Sequence, residues 1–133
     1  TSFWNGLERF AMMRNLETNV TTEQHGKESK FIRFKTIIPK VYVIYKARHG
    51  YVDLQIPNMA GKLVLPSGVI SNDMYICDAG KSAAIRIGNP QWILNLEESI
   101  ENNKEIVDDI ISSVERLVQL AKIIAREYPE TIK

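Results

Sequence analysis

Between Val41 and Ile56 apolar and polar residues alternate on both sides of a turn signal, His49-Gly50. A period of two marks half-buried strands, because successive side chains point to opposite faces. Taking His49-Gly50 as a two-residue turn pairs Arg48 with Tyr51, Ala47 with Val52, Lys46 with Asp53, Tyr45 with Leu54, Ile44 with Gln55 and Val43 with Ile56. One face then collects Val43, Tyr45, Ala47, Val52, Leu54 and Ile56, which is a core face. The other collects Tyr42, Ile44, Lys46, Arg48, Tyr51, Asp53 and Gln55, with a Lys46–Asp53 cross-strand pair and Arg48 beside the ring of Tyr51. That second face is either plain solvated sheet or a binding platform.

Other segments carry the same kind of signal. Phe3, Leu7, Phe10, Ala11 and Arg14 recur at helical spacing and predict a helix over Phe3 to Leu16, with Ser2 as its cap and Gly6 weakening it. Glu17 to Ser29 is polar, without period, and reads as a mobile loop. Phe31 to Ile38 alternates as a strand and Pro39 ends it. After the hairpin, Pro57-Asn58 turns the chain. Lys62 to Leu65 reads as a short strand, and Val69-Ile70 as the start of another. Met74 to Cys77 and Ser82 to Ile87 predict a second hairpin around Asp78-Ala79-Gly80-Lys81. Gly88-Asn89-Pro90 breaks it, and Trp92-Ile93-Leu94 adds an edge strand. Ile106, Ile110, Val114, Leu117, Ala121 and Ile124 recur at intervals of four and three, a long helix begun at Asn102 or Asn103 and stopped by Pro129. Val107, Ile111, Val118 and Leu120 widen its stripe beyond a coiled-coil seam, as for a helix lying on a sheet. The expected fold is α+β: a mainly antiparallel sheet of five or six strands, with the first and last helices on one face.

A chain of 133 residues with 44% hydrophobic and 25% charged residues is an ordinary single globular domain, spanning 1–133. It opens on Thr1 rather than Met, as would a processed chain or a piece cut from a longer protein. Cys77 is the single cysteine, which excludes an internal disulfide and suggests a reducing, cytoplasmic setting. No apolar run approaches the roughly 20 residues of a spanning helix, so no membrane partner is expected. Asn19-Val20-Thr21 matches a glycosylation acceptor, read as chance in an intracellular chain.

Net charge is only +1, but it is segregated. From Lys27 to Lys62, eight bases (Lys27, Lys30, Arg33, Lys35, Lys40, Lys46, Arg48, Lys62) face Glu28 and Asp53. From Glu97 to Glu130, nine acids face four bases. Such segregation hints at a polyanion surface on the sheet, or at basic strands and an acidic helix neutralising each other.

Candidate chemistry is sparse. Gly80-Lys81-Ser82 ends like a phosphate loop, but the first glycine would have to stand at Tyr75 and a strand pattern follows, so it is a hairpin turn. His25, His49 and Cys77 lack metal-ligand spacing. His49 sits at a hairpin tip as a solvated side chain, and Cys77 reads as a small core residue without a base. The acids Glu97, Glu98, Glu101, Glu105, Asp108 and Asp109 read as a solvated approach to the last helix. No catalytic residue, metal ligand or cofactor is assigned. Aromatic residues interleaved with bases remain: Phe31, Arg33 and Lys35 extend the Tyr42, Lys46, Arg48, Tyr51 face if their strands are neighbours. The candidate nucleic-acid-binding residues are therefore Arg33, Lys35, Lys46, Arg48 and Tyr51, with DNA or RNA as partner.

Gly50-Tyr51-Val52-Asp53-Leu54, then Lys81-Ser82-Ala83-Ala84-Ile85-Arg86-Ile87, then the long helix after Trp92 follow one another over Lys40 to Ala125. In this order the chain resembles the C-terminal accessory regions that trail some bacterial PD-(D/E)XK-type nuclease proteins. The resemblance implies a non-catalytic role beside a nuclease domain or protein partner, in defence or DNA processing, and brings no active-site residue with it. Two alternatives stand beside that expectation. One is a metal-dependent nuclease or fragment using Asp53 or Asp78, although Asp53-Leu54-Gln55 lacks the lysine such a site wants. The other is a structural or oligomerisation domain built on the C-terminal helix.

Overall fold

The computed structural model describes residues 2–20, 31–95 and 100–132. Helix α1 (Ser2–Met13) buries Phe3, Leu7 and Ala11, the positions one helical face presents. It begins at Ser2 itself rather than after it. Gly6 belongs there for packing: a Cβ at this site would stand 3.1 Å from Cγ2 of Ile100. Asn15 ends the helix at φ 62, with the Leu16 amide on the Ala11 carbonyl and the Asn15 amide on the Met12 carbonyl, both at 3.0 Å. This left-handed asparagine cap sends Leu16 into the core.

Six strands form one antiparallel sheet: β1 (Thr18–Val20), β2 (Phe31–Lys35), β3 (Tyr42–Lys46), β4 (Tyr51–Ile56), β5 (Tyr75–Ala79) and β6 (Ser82–Gly88). Their order across the sheet is β1-β2-β3-β4-β6-β5, so the chain passes over β6's place on the way to β5 and returns to fill it. The loop expected over Glu17 to Ser29 opens with β1; its remainder, with His25, Lys27 and Glu28, lies outside the described residues, as do Lys30, Glu97 and Glu98.

The first hairpin keeps its predicted faces and changes its register. Lys46 stands opposite Tyr51, Tyr45 opposite Val52 and Ile44 opposite Asp53, so the pairs are displaced by two residues from those of a His49-Gly50 turn. The connection is Ala47-Arg48-His49-Gly50, closed by the Gly50 amide on the Lys46 carbonyl at 3.0 Å with Gly50 at φ +71. Gly50 is held there by its neighbours: its carbonyl accepts the Asn89 amide at 2.9 Å, and a Cβ would lie 2.7 Å from Ile93 Cγ1 and 2.8 Å from the Asn89 oxygen. Because the displacement is even, each side chain stays on its expected face. The second hairpin turns at Gly80-Lys81, with Gly80 at φ +60, as read from its sequence.

Three expected strands are absent: Lys62 to Leu65, the one starting at Val69-Ile70, and Trp92 to Leu94. Around Lys62 the chain turns, with Gly61 at φ +71 and the Lys62 amide on the Met59 carbonyl; Leu63 is buried without a ladder, and Leu65, Val69 and Ile70 pack against the core from irregular backbone. At Trp92 a 3-10 turn, Pro90–Trp92, replaces the edge strand, because Asn89 caps it through its side-chain oxygen and proline opens it. Trp92 plugs the core, and its carbonyl accepts the buried Tyr45 hydroxyl at 2.6 Å. Burial pushes the Tyr45 phenol well above its ordinary range, so it stays a donor.

Helix α2 (Lys104–Glu127) buries Val107, Ile110, Ile111, Val114, Leu117, Ala121 and Ile124 over β3 and β4. Val43, Tyr45, Val52, Leu54 and Ile56 meet it in one core that α1 completes. Arg14 ties the helices, donating to Asp108 at 2.7 Å and to Ser112 at 3.2 Å, and pairing with Glu115. Arg116 clamps the 57–74 segment to α2 through both oxygens of Asp73, at 2.7 and 2.8 Å. The apolar stripe of α2 is thus spent on the sheet, as its width predicts. Among the described residues no helix is long and apolar enough to cross a membrane.

Candidate functional site

Because both helices pack on the core face, the opposite face of the sheet has no covering element among the described residues. Its side chains form three rows running across the strands. The first holds Phe31 (β2), Lys46 (β3), Tyr51 (β4) and Gly88 (β6); the second Arg33, Ile44, Asp53, Arg86 and Tyr75 (β5); the third Lys35, Tyr42, Gln55, Ala84 and Cys77. Basic and aromatic side chains thus interleave from β2 to β5.

Its centre is built around one buried acid. Asp53 is fully buried and accepts from Arg86 at both oxygens, Nε at 2.7 Å and a terminal nitrogen at 2.8 Å, with Gln55 donating at 3.3 Å. The hydrogen bonds it donates to Asp53 raise the pKa of Arg86 further, so it is charged at every working pH. The guanidinium carbon of Arg86 lies 3.6 Å from the centroid of Tyr51, and Nζ of Lys46 reaches the same ring at 5.5 Å from the strand on its other side. Arg33 covers Tyr42 at 4.7 Å. Its Nε is buried without a hydrogen-bond acceptor, and no carboxylate among the described residues pairs with it. Lys46 likewise has no acidic partner there, while Lys35 lies 3.9 Å from Glu17. Four cations on this face meet two acids: Asp53, which Arg86 already occupies, and Glu17, which stands beside Lys35.

Of the residues singled out from sequence, Arg33, Lys35, Lys46 and Tyr51 come together on this face. Arg48 does not join the rows. It is an exposed residue of the Ala47–Gly50 connection, and Lys46 and Arg86 hold the places beside Tyr51 instead. His49, also exposed at that tip, sets its ring 5.3 Å from Tyr51. Arg86 and Tyr75 were not among the candidates. The signal for Arg86 was its opposite charge to Asp53, legible only once β6 is known to lie beside β4; Tyr75 follows from the second hairpin's register.

Other candidate groups are engaged elsewhere. Cys77 lies half-buried on this open face rather than in the core, and burial raises its thiol pKa, which leaves it protonated at neutral pH. Asp78 points to the core side of β5 and accepts the Gly61 amide at 2.9 Å. Comparisons of the chain with protein-family models, with curated proteins and with solved structures find no match.

Proposed function

We propose that this domain binds nucleic acid on the open face of its sheet and contributes holding rather than bond-making chemistry. The observation that carries the reading is the excess of cations over acids on that face, interleaved with aromatic rings: Arg33 on Tyr42, and Lys46 and Arg86 on Tyr51. Phosphates supply what Arg33 and Lys46 lack, an anionic partner, and a sheet face is broad enough to take a backbone laid across several strands. Arg86 does not need to pair with the ligand. Held by Asp53, it fixes Tyr51 and keeps the centre of the face rigid, so little side-chain entropy is lost on binding.

A domain of this kind would hold a substrate for a separate catalytic unit, in keeping with the resemblance to nuclease accessory regions. The test is fluorescence anisotropy with labelled DNA and RNA oligonucleotides at low and moderate salt, on the natural chain and on a variant carrying Arg33→Ala and Lys46→Ala. Salt-sensitive binding, weakened at least about tenfold in the variant, is the expected result. Equal binding by both proteins would remove this face as the site.

A further inference from the structure

We infer that the ligand of this face is a single strand, and that Tyr75 is the ring on which a base stacks. The inference rests on the reading of the face as a nucleic-acid surface. A ring can stack a base only if its face is free. Tyr51 is flanked by Lys46 and Arg86 from the strands on either side, and Tyr42 carries Arg33. Tyr75 differs in three respects. It is 50% exposed, no cation lies over it among the described residues, and it stands in the second row directly beside Arg86. Its hydroxyl extends over β6, to 3.9 Å from where a Cβ of Gly88 would be. The missing side chain at Gly88 leaves the ring space to lie along the sheet between β5 and Tyr51.

Arg86 stays off that ring because Asp53 holds two nitrogens of its guanidinium. A chain crossing from Tyr75 to Lys35 traverses four strand spacings, about 19 Å, and passes Arg86, Lys46 and Arg33 on the way. Within a duplex the base faces are already stacked, so a duplex could use the cations but not the ring. An unpaired strand can use both.

The test compares labelled single-stranded oligo-dT and oligo-U with a duplex of equal length, by anisotropy, on the natural chain and on Tyr75→Ala, Tyr75→Phe and Gly88→Leu. Single strands should bind at least about tenfold more tightly than duplex. Tyr75→Ala should lose about 5- to 150-fold in single-strand affinity with an unchanged salt slope, and Tyr75→Phe should retain it. Gly88→Leu, which fills the space beside the ring and leaves Tyr75 in place, should weaken single-strand binding as well. Salt-dependent binding that Tyr75→Ala leaves unaltered, or duplex binding as tight as single-strand binding, overturns this inference and leaves the charged face standing. Absence of binding by the natural chain at low salt overturns both.

Discussion

Removing the charge of Asp53 should cost far more stability than breaking any other ion pair described in this protein. Asp53 has no exposure, and the Arg86 side chain is only 16% exposed. With Asp53→Asn the guanidinium remains charged, because arginine does not deprotonate, yet it loses two charge-assisted hydrogen bonds at 2.7 and 2.8 Å. Breaking a buried pair by removing one partner costs about 3–5 kcal/mol. The remaining stack of Arg86 on Tyr51 and its residual contact with water place the expected loss near the lower end, about 3 kcal/mol. In a domain of this length that corresponds to a fall of about 10–15 °C in Tm. Urea unfolding followed by circular dichroism measures it, with Asp53→Leu, Arg86→Met and the double variant Asp53→Leu with Arg86→Met completing a cycle. Arg86→Met leaves a carboxylate in an apolar site and should cost at least as much. The double variant should be less destabilised than the two single changes summed, by 1.5 kcal/mol or more, because two apolar side chains leave no orphaned charge. Single losses below about 1 kcal/mol, or strict additivity, would show that the pair does not organise the face.

Three further outcomes follow from the packing. Val114→Ala or Leu117→Ala, each opening a cavity between α2 and the sheet, should cost about 2–4 kcal/mol in urea unfolding; a change near zero would contradict the placement of α2. Gly50→Ala combines a left-handed backbone with a Cβ 2.7 Å from Ile93, so it should cost about 2–4 kcal/mol, whereas Gly61→Ala, with open space around it, should cost about 1–2. The hydrogen bond from Arg116 holds the Asp73 carboxyl below the usual range, so the pair's contribution is present above about pH 4 and fades as pH falls through the folded value. Both side chains are substantially exposed, which limits the effect to less than about 1 kcal/mol. Asp73→Asn should abolish that part of the difference in urea midpoint between neutral and acidic pH, and a variant with an undiminished difference would assign it to other acids.

Much of this architecture is legible in the sequence because it depends on parity and period. The two faces of β3 and β4 follow from alternation alone, and a displacement of two residues leaves them intact. The exact pairing was not legible, because it depends on Gly50 closing a wider turn against Asn89 and Ile93, residues some forty positions away. Lys62 to Leu65 and Trp92 to Leu94 were misread for one common reason. Short apolar runs satisfy a core equally well from irregular backbone, as Leu63 does, or from a 3-10 turn, as Trp92 does. At the site, Arg33, Lys35, Lys46 and Tyr51 were visible within local strands. Arg86 was not, since its place beside Asp53 depends on β6 pairing with β4, a long-range pairing with no local signature, and Tyr75 joins the face only through its hairpin partner Arg86.

The central claim, that the open sheet face takes a polyanion, is tested most directly by the salt dependence of single-strand binding to the natural chain. Three phosphates engaged by Arg33, Lys35 and Lys46 give a slope of log affinity against log salt of about −2. A slope near that value, reduced by about 0.7 for each of these residues changed to Ala, is the predicted result. Binding indifferent to salt, or none at low salt, would contradict it.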